Sequence, residues 1–217
     1  MYPAVVDCAN LAWPLKASET LKQNGYAILQ LTAADDRLVD ELYSCACDLF
    51  DNSAARRQLE VPQQNLGDLD RRTGYIEGPK REWYETHIYG DLPPRVHEAS
   101  AVRLVRVAQD YELAMQKLAL DTLQALVDTE SSSHLASLLP PSTPATGCDT
   151  NKRMVDRRAA FSSSMLRVYR YNRMYNVPDG DPHIDMGLLT VIPRGSRPGL
   201  EIQPLGTNTW LPIEEVV

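Results

Sequence analysis

The chain has 217 residues, 43% hydrophobic and 24% charged, the balance of an ordinary soluble globular protein with one sizeable domain or a domain with an appended lobe. Its formal net charge of −7 argues against a nucleic-acid backbone as the main partner, because phosphate binding needs a positive surface. No apolar run is long enough to cross a bilayer, and the N-terminal Met1-Tyr2-Pro3-Ala4-Val5-Val6-Asp7 lacks the basic start and apolar core of a signal peptide. A cytoplasmic location without membrane attachment is the default expectation.

Taken in chain order, Ser18 to Asn24 reads as a helix stopped by Gly25, and Tyr26 to Leu31 as a short buried strand. Thr32 or Asp35 can cap a second helix, in which Leu38, Leu42, Cys45 and Leu49 fall on one face with Val39, Tyr43, Ala46 and Phe50 beside it. A longer helix is predicted from about Val96 to about Asp128. Its stripe of Leu104, Val107, Tyr111, Ala114, Leu118, Thr122 and Ala125 steps by threes and fours and reads as scaffold.

The run from Leu139 to Gly147 holds three prolines, which remove backbone donors and bar a helix, so it is expected to be a loop. Beyond it the pattern changes to short strand-like runs at Ser164–Tyr171, Leu188–Ile192, Leu200–Gln203 and Trp210–Ile213, separated by turn signals. The coarse expectation is an α+β chain: a mainly helical region over 1–137, a Pro/Ser/Thr-rich loop over 138–158, and a β region over 159–217.

Four cysteines are present, and only Cys45 and Cys47 are near one another. Their spacing suits no zinc site, so they read as reduced, partly buried thiols. The arginines at 153, 157, 158, 167, 170 and 173 cluster in one stretch, which reads first as a solvated face and second as a local basic pocket.

The chemistry rests on His183-Ile184-Asp185. Non-haem iron oxygenases hold Fe(II) by two histidines and one carboxylate on one face of an octahedron, leaving the other face for cosubstrate and oxygen. On extended chain, residues i and i+2 point to the same side, so an imidazole and a carboxylate in a His-x-Asp can reach one metal. The bland alternative is that His183 and Asp185 hydrogen-bond in a turn beside Asp179-Gly180-Asp181-Pro182.

The surrounding order of elements is more specific. Met165-Leu166-Arg167-Val168-Tyr169-Arg170-Tyr171, a Pro/Asp/Gly turn, His183 to Pro193, Gly199-Leu200-Glu201-Ile202 and Trp210-Leu211-Pro212-Ile213 together resemble the isopenicillin N synthase-like family. Earlier segments are similar to it as well: Asn24 to Leu29, Asp48-Leu49-Phe50, Gly74-Tyr75-Ile76 and Arg81-Glu82-Trp83-Tyr84-Glu85. The resemblance implies a double-stranded β-helix (jelly roll) and an Fe(II) and 2-oxoglutarate-dependent dioxygenase acting on a small organic substrate with molecular oxygen.

Residue by residue, it implies that His183 and Asp185 are metal ligands. Tyr171 stands where a tyrosine hydroxyl bonds the 2-oxoglutarate carboxylate, and Tyr169 replaces the asparagine usual two residues earlier on that cosubstrate side. Arg167 stands where some members point toward substrate, with a plain strand role as its alternative. The family's second histidine and the Arg-x-Ser that pairs with 2-oxoglutarate come well after the carboxylate, and no counterpart precedes Val217. His87, His97 and His134 precede the motif and read as surface or capping residues. The resemblance is therefore to a C-terminally truncated member. It is expected to be either a fragment of an active enzyme or an inactive paralogue that binds without catalysis; a cupin-like metal protein is the third reading.

Overall fold

The computed structural model describes residues 3–60, 74–87, 96–130, 137, 139, 164–171, 182–185 and 187–215. The expected loop at 138–158 thus lies, apart from Leu139, outside the described residues. The chain divides into two compact units. One comprises Met1–Asp36, Met115–Pro141 and Leu189–Val217, and the other Arg37–Ala114 and Ser142–Leu188.

In the first unit, strand β1 (Val6–Asp7) runs parallel to β2 (Leu29–Gln30), with helix α1 (Trp13–Asn24) as the connection between them. Pro14 sits in the first turn of α1, where its missing N–H has no helical partner to lose. Gly25 ends the helix at φ 80°, a left-handed conformation that costs glycine nothing, and its N–H donates to the Leu21 carbonyl. The predicted stop is therefore found where it was expected. Of the expected strand at 26–31 only Leu29 and Gln30 pair, although Tyr26 and Ile28 are buried.

Strands β6 (Glu201–Ile202) and β7 (Leu211–Pro212) form an antiparallel pair in the same unit, followed by a 3-10 turn at Ile213–Glu215. Glu214 reaches back from this turn and accepts the N–H groups of Gly195, Gly199 and Leu200 at 3.0, 2.6 and 3.0 Å. A carboxylate taking three backbone donors holds the 195–200 bend without needing strand pairing. The expected strand at Leu188–Ile192 pairs with no strand among the described residues, and Leu188 and Ile192 are both more than half exposed.

The second unit holds most of helix α2 (Ala33–Asp51), helix α3 (Ser53–Leu59) and the first half of helix α4 (Ala99–Glu130). The Thr32 hydroxyl accepts the Asp35 N–H at the start of α2 and donates to the Asp35 carboxylate, so both expected capping residues act together. Val39, Leu42, Cys45, Ala46, Leu49 and Phe50 are buried along α2, the face that its periodicity indicates. Asn52 caps α3 by accepting the N–H groups of Ala54 and Ala55, and its amide donates to Glu98. Asn52→Ala is expected to lower the unfolding free energy by about 1–2 kcal/mol, read as an earlier urea midpoint at unchanged m-value.

A three-stranded antiparallel sheet, β3 (Gly74–Glu77), β4 (Arg81–His87) and β5 (Met165–Tyr171), completes this unit. Strands β3 and β4 come from the region expected to be helical, and β5 from beyond the proline-rich run, so this sheet joins distant parts of the sequence. Tyr75, Tyr84 and Val168 are buried on one side of it, where Tyr75 meets the Phe50 ring of α2 at 6.3 Å. Arg170 ties the same side to the end of α2 through the Phe50 carbonyl and Asp51, and to Glu82 of β4.

Helix α4 buries the expected Leu104, Val107, Tyr111, Leu118 and Thr122. It also buries an adjoining row of Val105, Ala108, Glu112 and Met115, a wider face than the stripe indicated. No helix among the described residues is long and apolar enough to cross a membrane. The described strands form sheets of two or three members that do not close into a barrel.

Candidate functional site

His183, Ile184 and Asp185 follow the second unit's sheet in chain order, in neither helix nor strand, and are exposed. Nε2 of His183 lies 3.2 Å from Oδ1 of Asp185, with the side chains 70% and 47% exposed. The i and i+2 side chains thus meet on one side of the chain. Ile184 between them is 94% exposed and projects away from any core.

This spacing has two chemical uses. It is the length of a hydrogen bond between imidazole and carboxylate, as in the turn-bonding alternative. It is also the edge of a coordination octahedron, since two cis ligand atoms each about 2.1 Å from a cation stand about 3 Å apart. The donor set therefore fits two neighbouring positions of a divalent cation that accepts nitrogen and oxygen. Among the described residues no group of three or more histidine, cysteine or acidic side chains gathers to complete such a site. His97 lies just before α4, exposed, with its backbone N–H donating to Gln58. His87 closes β4 opposite Met165, and His134 lies outside the described residues.

The other expected site residues all lie on one side of β5. Arg167, Tyr169 and Tyr171 alternate along it and stand opposite Glu85, Trp83 and Arg81 of β4. Arg167 Nε donates to Glu85 Oε2 at 2.7 Å, and its guanidinium also meets the Tyr169 hydroxyl. Glu85 is almost fully buried, with the Trp83 indole N–H at 3.4 Å from the same carboxylate oxygen. The strand role for Arg167 is thus present as a specific ion pair. The Tyr169 ring lies between Trp83, at 6.1 Å, and Tyr171, on which it stacks at 5.9 Å. Tyr171 is 54% exposed.

Two features of this face have no counterpart in the sequence reading. Arg81 lies over the Tyr169 ring at 4.8 Å and near Trp83 at 5.9 Å, which only the β4–β5 register brings about. Gly78, in the β3–β4 turn, leaves room for the Trp83 ring: a Cβ there would stand 3.2 Å from it. On the opposite side of the sheet the structure adds Glu112, a buried carboxyl beside Tyr84 whose two oxygens have no hydrogen-bond partner among the described residues. Burial raises its pKa from the ordinary 4.5 to about 8, so it is neutral at pH 7. The signal for it was present as an acidic residue four positions from Ala108 on the inner row of α4.

The elements define an α+β protein with small sheets and long helices. No protein-family model matches the chain, and no curated protein matches it. Among solved structures it is similar to a protein of Shewanella oneidensis described as a "Putative oxygenase", with a TM-score of 0.64 at 18% identity. The match covers 97% of this chain and 71% of that one, and at this identity it is a likeness of fold.

Proposed function

We propose that this chain belongs to a non-haem Fe(II) and 2-oxoglutarate-dependent oxygenase of the isopenicillin N synthase-like type, oxidising a small organic substrate with molecular oxygen. The observation that carries the reading is the convergence of His183 Nε2 and Asp185 Oδ1 at the spacing of two cis ligands. The fold likeness to the Shewanella oneidensis protein supports it, since that protein is described as an oxygenase. The jelly roll of the family is part of this proposal, as is the domain layout of a helical region followed by a β region.

In this reading the iron with its cosubstrate supplies the oxidising power for attack on a C–H bond. His183 and Asp185 hold two metal positions, and the third ligand is to be sought outside the described residues. Tyr171 offers its hydroxyl to the cosubstrate carboxylate. Tyr169, engaged by Arg167, orients that guanidinium and contributes a ring wall beside it. Arg167 acts in substrate placement while its charge is balanced by Glu85.

The test is metal binding by the purified chain under anaerobic conditions, followed by calorimetry with Fe(II) and by succinate formation from 2-oxoglutarate. His183→Ala and Asp185→Ala are each expected to weaken Fe(II) binding at least about tenfold, since each removes one of few ligands. Equal affinity in the wild type and both variants would mean that the pair is only a hydrogen-bonded turn.

A further inference from the structure

The outer side of the β4–β5 ladder combines three half-open aromatic rings with a cation that has no anionic partner among the described residues. Trp83, Tyr169 and Tyr171 form a continuous ring surface, with centroids 6.1 and 5.9 Å apart. Arg167 has its charge balanced by Glu85 within this face. Arg81 differs: no carboxylate of the described residues pairs with it, and its guanidinium is held by rings instead, 4.8 Å from Tyr169 and 5.9 Å from Trp83. In register it stands directly across from Tyr171, the most exposed ring of the row.

A guanidinium lying on aromatic faces keeps its edge free, and that edge is a rigid fork of N–H donors matched to a carboxylate. The rings beside it offer stacking area without further charge. One unbalanced cation among the described residues of this face and a net charge of −7 fit a small monoanion and not a polyphosphate or nucleic-acid strand. We infer that this face binds a planar aromatic carboxylate, with the carboxylate on the Arg81 edge and the ring stacked on Tyr171. This deepens the oxygenase reading by naming the chemical class of its substrate, and it rests on that reading only in calling the ligand a substrate. The binding itself requires no metal.

The experiment is calorimetric titration of the metal-free wild-type chain with 2-naphthoate, alongside 2-naphthol and cyclohexanecarboxylate as probes that lack the charge or the planar ring. Naphthoate is expected to bind at least about tenfold more tightly than either. Arg81→Met and Tyr171→Leu should each weaken it by a similar factor, and Arg81→Lys should fall between Arg81→Met and the wild type, because it keeps the charge and loses the fork. Both positions are on the outer face, and circular dichroism and the melting temperature show that each variant is folded. Equal affinity for naphthol, or for the Arg81→Met chain, overturns the proposal, as does displacement of naphthoate by cyclohexanecarboxylate as readily as by benzoate. His183→Ala should bind naphthoate like the wild type. A wild-type chain that binds naphthoate but not Fe(II) therefore identifies failure of the oxygenase reading, and one that binds Fe(II) but not naphthoate identifies failure of this one.

Discussion

Glu112→Gln is expected to leave stability at pH 4 nearly unchanged and to raise it by several kcal/mol at pH 9. In the folded chain the Glu112 carboxyl is 6% exposed, and burial raises its pKa to about 8. In the unfolded chain it titrates near its ordinary 4.5. Between these values the folded state holds a proton that the unfolded state has released, so stability falls as pH rises. The contribution is whole below about pH 4.5, is lost progressively up to about pH 8, and is constant above. The full loss is on the order of 5 kcal/mol. Glutamine cannot ionise, and its chain should lack this slope.

Urea unfolding of wild type and Glu112→Gln across pH 4 to 9 measures the difference directly. Identical slopes would show that the carboxyl is not the source of the pH dependence. Glu112→Met adds a second comparison: an apolar side chain of similar length removes the cost of burying a polar group, and should be more stable than Glu112→Gln by about 1–3 kcal/mol at every pH.

Arg167→Ala is expected to destabilise the fold by about 2–3 kcal/mol, because it strips a buried carboxylate of its guanidinium. Glu85 has a 3% exposed side chain, so its charge is poorly served by water once Arg167 is gone. The figure is kept below that of a fully buried pair because Arg167 is itself 42% exposed and the Trp83 indole still faces the same oxygen. Arg167→Met combined with Glu85→Gln should recover much of the loss, since both charges are then removed together. A double-mutant cycle by urea unfolding gives the coupling. A coupling near zero would reduce the 2.7 Å contact to a surface ion pair and leave substrate placement as the main role of Arg167.

Much of the helical scaffold is legible from local pattern. Gly25, Thr32 and the apolar rows of α2 and α4 state where helices begin, end and bury themselves, because capping and amphipathic spacing act over a few residues. The α+β class follows from the change in periodicity after the proline-rich run. The sheets are less legible. Strand β4 carries Arg81, Glu82, Glu85 and His87, a composition that gives little apolar alternation, and becomes a strand through pairing on both sides. At 188–192 the reverse holds: an apolar run suited to a strand has no paired neighbour among the described residues. Pairing is a contact between distant segments, and local propensity does not supply it.

The candidate site divides in the same way. The sequence by itself determined that a histidine and a carboxylate stand two residues apart, a spacing short enough for their side chains to meet. It also placed Arg167, Tyr169 and Tyr171 on one side of a strand, by alternation alone. Only the tertiary structure decided what those residues face: Glu85 opposite Arg167, Trp83 opposite Tyr169, and Arg81 across from Tyr171. It likewise decided that Glu112 is buried without a hydrogen-bond partner among the described residues, because burial depends on how far the covered face of α4 extends and not on the residue's own character. Spacing along one segment is local geometry; the charge balance and dryness of a site are set by the segments that fold against it.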